Sequence, residues 1–143
     1  MPVSLALAEL HNLLGERFSL SKSELEAHGH SESYFPTTPP DAVVFPQNAA
    51  ETRDIIRICA THSVPVIGWG AGTSLEGHTL ATQGGVCVDF SRMNKILEIR
   101  SADMDVTVQP GVTRESLNHE MVLIFFQDIE RDRTCWRHNH TNR

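Results

Sequence analysis

The chain has 143 residues, 40% hydrophobic and 21% charged, a size and balance suited to one soluble globular domain with a modest core. Its formal net charge of −6 argues against nucleic acid or an anionic membrane surface as a partner. Cys59, Cys87 and Cys135 are widely spaced with no C-x-x-C pair, which is neither a disulfide framework nor a zinc site and suits a reducing compartment.

Leu5, Leu7, Leu10, Leu13 and Leu14 recur near helical spacing and predict an amphipathic helix over residues 3–17, with Gly15 placed to help end it. Residues 21–27 read as a second short helix, with Ser21 and Glu24 at the spacing of a capping box. From His28 the chain turns polar and aromatic, and Pro36, Pro39 and Pro40 make residues 28–40 an ordered loop or linker. On this reading His28 and His30 are solvated loop residues. Residues 41–46 form a short strand stopped by Pro46. Asn48 then caps a helix with Glu51 at its third position, and Ile55, Ile56 and Cys59 give that helix its apolar face up to His62.

Residues 64–67 are the next apolar strand, so the chain has traced a strand, a capped helix and a strand. That βαβ unit favours an α/β or α+β fold with a ligand at a strand's carboxyl end. Further strands are expected at 86–90, 96–99 and 106–109, with a turn at 101–103, and Asp89 reads as a residue that fixes a turn. Pro110-Gly111-Val112 is a second glycine turn, after which Thr113 can cap a helix running towards Met121. Beyond Gln127 the charges alternate, apolar residues almost vanish and no period remains, the texture of a disordered tail. No run approaches the ~18 apolar residues of a membrane span, and the N-terminus has neither a basic signal start nor Arg-rich transit character, so the expected location is cytoplasmic.

The stretch with most chemistry in it is Gly70-Ala71-Gly72-Thr73-Ser74-Leu75-Glu76-Gly77-His78, directly after the 64–67 strand. Glycines let a ligand approach the main chain, and successive N–H groups in such a turn converge into a nest for an anion, usually phosphate. Thr73 and Ser74 add hydroxyl donors. No Lys follows a glycine as a P-loop needs, and Thr73 stands where the G-x-G-x-x-G fingerprint needs its third glycine. From the loop alone, a glycine turn with no ligand is an equal reading.

The ordered segments narrow it. Pro40-Asp41-Ala42-Val43-Val44-Phe45-Pro46, Val64-Pro65-Val66-Ile67, the loop from Gly70 to His78, and Gln109-Pro110-Gly111-Val112-Thr113 resemble the FAD-binding domain of the vanillyl-alcohol oxidase/p-cresol methylhydroxylase type. Within it the likeness is to the D-lactate dehydrogenase (cytochrome) and glycolate oxidase flavin-subunit family; His28-Gly29 and Glu32-Ser33-Tyr34 add to it, and it spans roughly residues 10–120. The resemblance implies an α+β fold, the N-terminal part of that FAD-binding domain and incomplete. It implies that Gly70, Ala71, Gly72, Thr73 and Ser74 contact the FAD pyrophosphate, that Gly77 and His78 continue along the cofactor, and that Pro110, Gly111 and Val112 lie close to the flavin, where a bulky side chain would clash. Some relatives tether flavin to a histidine, but through a differently spaced motif, so His78 is read as a non-covalent contact and Glu76 as a polar loop residue.

The implied activity is oxidation of a small D-2-hydroxy acid, D-lactate or glycolate, with electrons passing to a quinone or cytochrome, in the cytoplasm or peripheral to the inner membrane. Another enzyme on the same FAD fold, such as a cell-wall precursor reductase, is the weaker match because the loop continues as Ser74-Leu75-Glu76-Gly77-His78. Three segments are expected: residues 1–35, helical with a loop; 36–122, a partial FAD-binding domain; and 123–143, an aberrant tail. The family's later Gly-Gly-Met and Thr-Arg segments and its catalytic His and Arg groups are not readable, so no residue of this chain is assigned a catalytic role. Read one nucleotide later, codons for Cys135-Trp136-Arg137-His138 can encode Val/Ala-Gly-Gly followed by Ile, if Arg137 is CGG and His138 is CAT, and those for Asn139 to Asn142 can encode Thr-Thr-Arg. A frameshift near residues 121–127 is therefore expected, the alternative being a genuine variant terminus from read-through of non-coding sequence; on either reading the truncated chain holds half an FAD site or binds no FAD.

Overall fold

A computed structural model describes residues 2–32, 34–103 and 105–122. The chain divides into two units, 1–111 and 112–143.

In the first unit, helix α1 (Pro2–Leu14) buries Ala6, Leu10 and Leu14, which recur every four residues and so share one face. Leu5 and Leu13 point outward instead, at 60% and 39% exposure. The helix stops one turn earlier than its leucines suggest. Gly15–Arg17 is a single 3₁₀ turn, and Phe18–Ser19 peels off as strand β1, too short to leave a periodic signal. Helix α2 (Lys22–Gly29) runs two residues beyond the expected end. Ser21 does sit at its N-cap, but the side chain makes no capping bond and its Oγ pairs with Ser23 Oγ at 2.8 Å. His28 and Gly29 are buried at the end of this helix, which corrects the reading of His28 as a solvated loop residue; His30, just after it, is exposed.

Strand β2 (Ala42–Val44), helix α3 (Ala49–Thr61) and strand β3 (Val66–Trp69) form the expected crossover. Strand β4 (Val86–Asp89) then inserts between β2 and β3, parallel to both, giving the order β1-β2-β4-β3 with only β1 antiparallel. A central parallel strand is covered on both faces, and all four β4 residues are buried. On one face Val44, Val86 and Val88 meet α1 and α3 in a core with Leu10, Leu14, Ile55, Cys59 and Val64. Alternate residues, Val43 and Cys87 among them, are buried on the opposite face.

Asn48 caps α3 as the sequence suggests: its Oδ1 accepts from the Glu51 amide at 2.9 Å. The Glu51 carboxylate accepts from the Gln47 amide at 2.9 Å and pairs with Arg17, which also donates to the Phe45 carbonyl. The hydrogen bond from Arg17 to Glu51 holds the Glu51 carboxyl below its ordinary range. The apolar face of α3 needs one correction. Ile55 and Cys59 are fully buried and Ile58 packs against the core, whereas Ile56 is 49% exposed. At 100° per residue, positions 55, 58 and 59 share a face that 56 leaves.

Strands β5 (Ile96–Arg100) and β6 (Asp105–Val108) form a separate antiparallel hairpin, Ile96 opposite Val108 and Arg100 opposite Asp105. Arg100 clasps the Asp105 carboxylate with two bonds of 2.7 and 2.9 Å. In the second unit residues 114–122 are helical, and Thr113 Oγ1 accepts from the Ser116 amide at 3.2 Å, the cap expected of it. The expected disordered or frameshifted tail, with Cys135, lies outside the described residues.

Candidate functional site

The parallel strands β2, β3 and β4 all end at the same edge of the sheet, because parallel strands share a direction. At that edge β2 gives way to Phe45, β3 to Gly70 and β4 to the 3₁₀ turn Phe90–Arg92, with Trp69 paired to Asp89 as the last rung. Gly70, Ala71, Gly72, Thr73, Ser74, Gly77 and His78 form the irregular loop that leaves β3 here. Among the described residues, no protein acceptor takes an amide proton from residues 71–78. Unclaimed donors of this kind are what an anion-binding nest presents.

Each loop glycine has its own surroundings. A side chain on Gly70 would enter open space, so that position faces outward. Gly72 has φ +70° and lies against the Trp69 indole, into which a Cβ would run. Gly77, at φ +75°, lies against the Phe35 ring, which is 3.1 Å from where a Cβ would sit, closer than an ordinary van der Waals contact. Ser74 Oγ and His78 Nδ1 are 2.9 Å apart, closing the loop upon itself, and Leu80 N donates to the Gly77 carbonyl at 3.1 Å.

The second glycine turn reaches the same edge. Gly111 donates to the Met93 carbonyl at 2.8 Å and presses so close to the Phe90 carbonyl that a Cβ would collide with it. A bulky residue at 111 therefore clashes with the protein's own backbone, before any ligand is considered. Pro110 and Gly111 belong to the first unit; Val112 opens the second.

Sequence reasoning missed what lies beneath the loop. His28 Nε2 and Asp89 Oδ2 are 2.9 Å apart and both side chains are buried. His28 Nδ1 is 2.9 Å from the Glu24 carbonyl, one helical turn back, and Asp89 Oδ1 accepts from the Ser91 amide at 2.7 Å. Asp89 thus fixes a turn as expected and also holds an imidazole. The imidazole lies edge-on to Phe45, ring centres 6.1 Å apart, and tilted against Trp69 at 4.7 Å. The hydrogen bond to Asp89 raises the His28 pKa above its ordinary value, outweighing burial. Burial pushes the Asp89 carboxyl up, but the bonds from His28 and Ser91 more than offset it and leave it below its ordinary value. Sixty-one residues separate the pair, so no local pattern could have announced it.

Cys59 and Cys87 are free and buried, and burial together with nearby Asp89 pushes the Cys87 thiol up to about 12, which keeps it protonated and unreactive. Among the described residues no cluster of His, Cys, Asp and Glu could hold a metal ion.

Fold and loop together define a mixed α/β domain with a glycine loop at the carboxyl edge of its three parallel strands. The chain is similar in structure to p-cresol methylhydroxylase, with a TM-score of 0.70 at 20% identity over 84% of this chain and 24% of that one. A family model described as an FAD binding domain matches residues 40–123, and the chain belongs to that family, whose cofactor is FAD. Among curated relatives it is 44% identical over 103 residues to the probable mitochondrial D-lactate dehydrogenase of Danio rerio, covering 72% of this chain and 21% of that protein. It is 37% identical over 114 residues to the mitochondrial D-lactate dehydrogenase [cytochrome] of Arabidopsis thaliana, covering 78% and 20%. It is 48% identical over 73 residues to glycolate oxidase subunit GlcD of Bacillus subtilis, covering 51% and 16%. The chain spans about a fifth of the length of these relatives.

Proposed function

We propose that this chain supplies the pyrophosphate-binding half of an FAD site in an oxidoreductase that converts a small D-2-hydroxy acid, D-lactate or glycolate, to its 2-oxo acid. The observation that carries the reading is the loop 71–78, set at the carboxyl edge of the sheet with its amide donors unclaimed and Gly70 facing outward. Bound FAD would supply the two-electron acceptor for the hydride leaving the substrate α-carbon. The residues here bind and orient. Gly70, Ala71 and Gly72 offer main-chain donors, Thr73 and Ser74 hydroxyls, and Gly77 and His78 extend the contact, with Pro110, Gly111 and Val112 as a second stretch. None serves as a catalytic base, so the chain alone has negligible turnover. In the complete enzyme electrons pass onward to a quinone or cytochrome. We place the protein in the cytoplasm or peripheral to the inner membrane, and among the described residues no helix is long and apolar enough to cross a membrane.

A second reading, an inactive domain that binds no FAD, is favoured by β3. Among the described residues this strand pairs with β4 alone and leaves Val66 41% exposed, an open edge that invites aggregation. The purified protein distinguishes them. A flavin absorption band that survives desalting supports the first reading; a colourless protein that takes up no added FAD supports the second.

A further inference from the structure

The His28–Asp89 pair is the buried ionisable pair that the proposed binding role leaves unused. It sits directly under the glycine loop, and the contacts are continuous. Asp89, the last residue of β4, holds the imidazole at 2.9 Å; the imidazole lies against Trp69 at 4.7 Å; and Trp69, the last residue of β3, is the surface on which the Gly72 turn rests. We propose that His28 is a positioning residue for the cofactor loop: paired with Asp89 and laid against Trp69, it fixes the indole that sets the conformation of the Gly72 turn. This rests on the reading of the loop as the FAD pyrophosphate site.

Three features of the arrangement favour this role. His28 arrives from the end of α2, beside Ser31, whose hydroxyl donates to the Ser74 carbonyl of the loop at 3.3 Å, so the pair ties that helix to the ends of β3 and β4. The ring can titrate, because the groups around it are mostly acidic or aromatic: Glu24 on its own helix, and Asp89 on β4 with the protonated Cys87 thiol two residues before it. Around Phe45, which His28 contacts edge-on, there is cationic charge as well: Arg92 lies 5.3 Å from the ring centre and Arg17 donates to the Phe45 carbonyl at 3.3 Å. As pH rises the imidazolium–carboxylate pair gives way to a neutral imidazole beside the Asp89 carboxylate, so the indole, and with it the turn, is held most firmly on the acid side of the His28 titration.

The test uses the full chain carrying Trp136→Phe, so that Trp69 is the single tryptophan, and follows the Trp69 indole and Gly72 α-proton resonances with pH in the absence of FAD. Because Gly72 lies on the indole, its α-protons carry a ring-current shift that reports the contact. The expected result is that both resonances titrate together with a midpoint above the ordinary imidazole value, and that His28→Gln abolishes the titration while the resonances of α3 stay in place. Asp89→Asn should move the midpoint down. FAD affinity, measured separately, should weaken about five- to tenfold from pH 6 to pH 9, roughly one order at most (a tenfold change being about 1.4 kcal/mol), and should be flat with pH in His28→Gln. Identical Trp69 and Gly72 resonances in the parent and His28→Gln would overturn the proposal. If the resonances titrate as expected but no variant binds FAD, the positioning of the turn stands and the cofactor reading of the loop fails.

Discussion

One carboxylate, Asp89, accepts from the Ser91 amide with one oxygen and from His28 with the other, and so couples a turn to a helix from the opposite end of the unit. The sign of its pH dependence follows from the two shifts. The His28 contribution is complete below the unfolded imidazole value of about 6.5 and is lost as pH rises through the raised folded value. The Asp89 contribution is present above the unfolded carboxyl value of about 3.9 and is lost as pH falls through the depressed one. The gap in Tm between the parent chain and His28→Gln should therefore be widest near about pH 5–6 and narrow towards about pH 9. A gap constant over that range would mean that packing, not charge, is what His28 provides. Two glycines of the loop make the second prediction at this scale. Gly72→Ala meets both a positive φ and the Trp69 ring, and should cost about 1–3 kcal/mol in urea unfolding. Gly70→Ala meets nothing and should stay within about 0.5 kcal/mol. Equal effects would contradict the backbone geometry of the loop.

At the scale of elements, stability rests on α1 and α3 covering one face of the sheet. Ile55→Ala removes a fully buried side chain and should cost about 2–5 kcal/mol, whereas Ile56→Ala, half-exposed on the same helix, should stay near 0.5 kcal/mol. Asn48→Ala should cost about 1 kcal/mol by freeing the Glu51 amide, read as a shift in urea midpoint without a change in slope. These elements also show what a sequence can and cannot reveal. The Asn48 cap, the Thr113 cap, the glycine loop and the positions of β2 to β6 along the chain were legible because each is written in residues a few positions apart. The two-residue β1 was not, since two residues carry no period. The insertion of β4 between β2 and β3 was not, since register between distant strands is decided by which apolar runs can be covered on both faces. His28 was misplaced for the same reason: Pro36, Pro39 and Pro40 mark a loop correctly, but its start is set by a partner 61 residues away.

At the scale of the whole molecule, the first unit brings both glycine turns to the carboxyl edge of one parallel sheet, the place where α/β folds bind their ligands. The notion that a bulky side chain at residue 111 would clash with the flavin gains a nearer cause in the Phe90 and Met93 backbone. The described edge gathers main-chain donors and hydroxyls around the loop, the arrangement that the proposed binding half requires. The central claim is that this half grips FAD by its pyrophosphate. The most direct measurement is a titration of FAD with the purified chain, read by flavin fluorescence, alongside Gly70→Glu, which puts a carboxylate into the open space beside the loop without straining the fold. Saturable binding that Gly70→Glu abolishes while its Tm holds is the predicted result. No saturable binding, or binding indifferent to Gly70→Glu, would contradict the account.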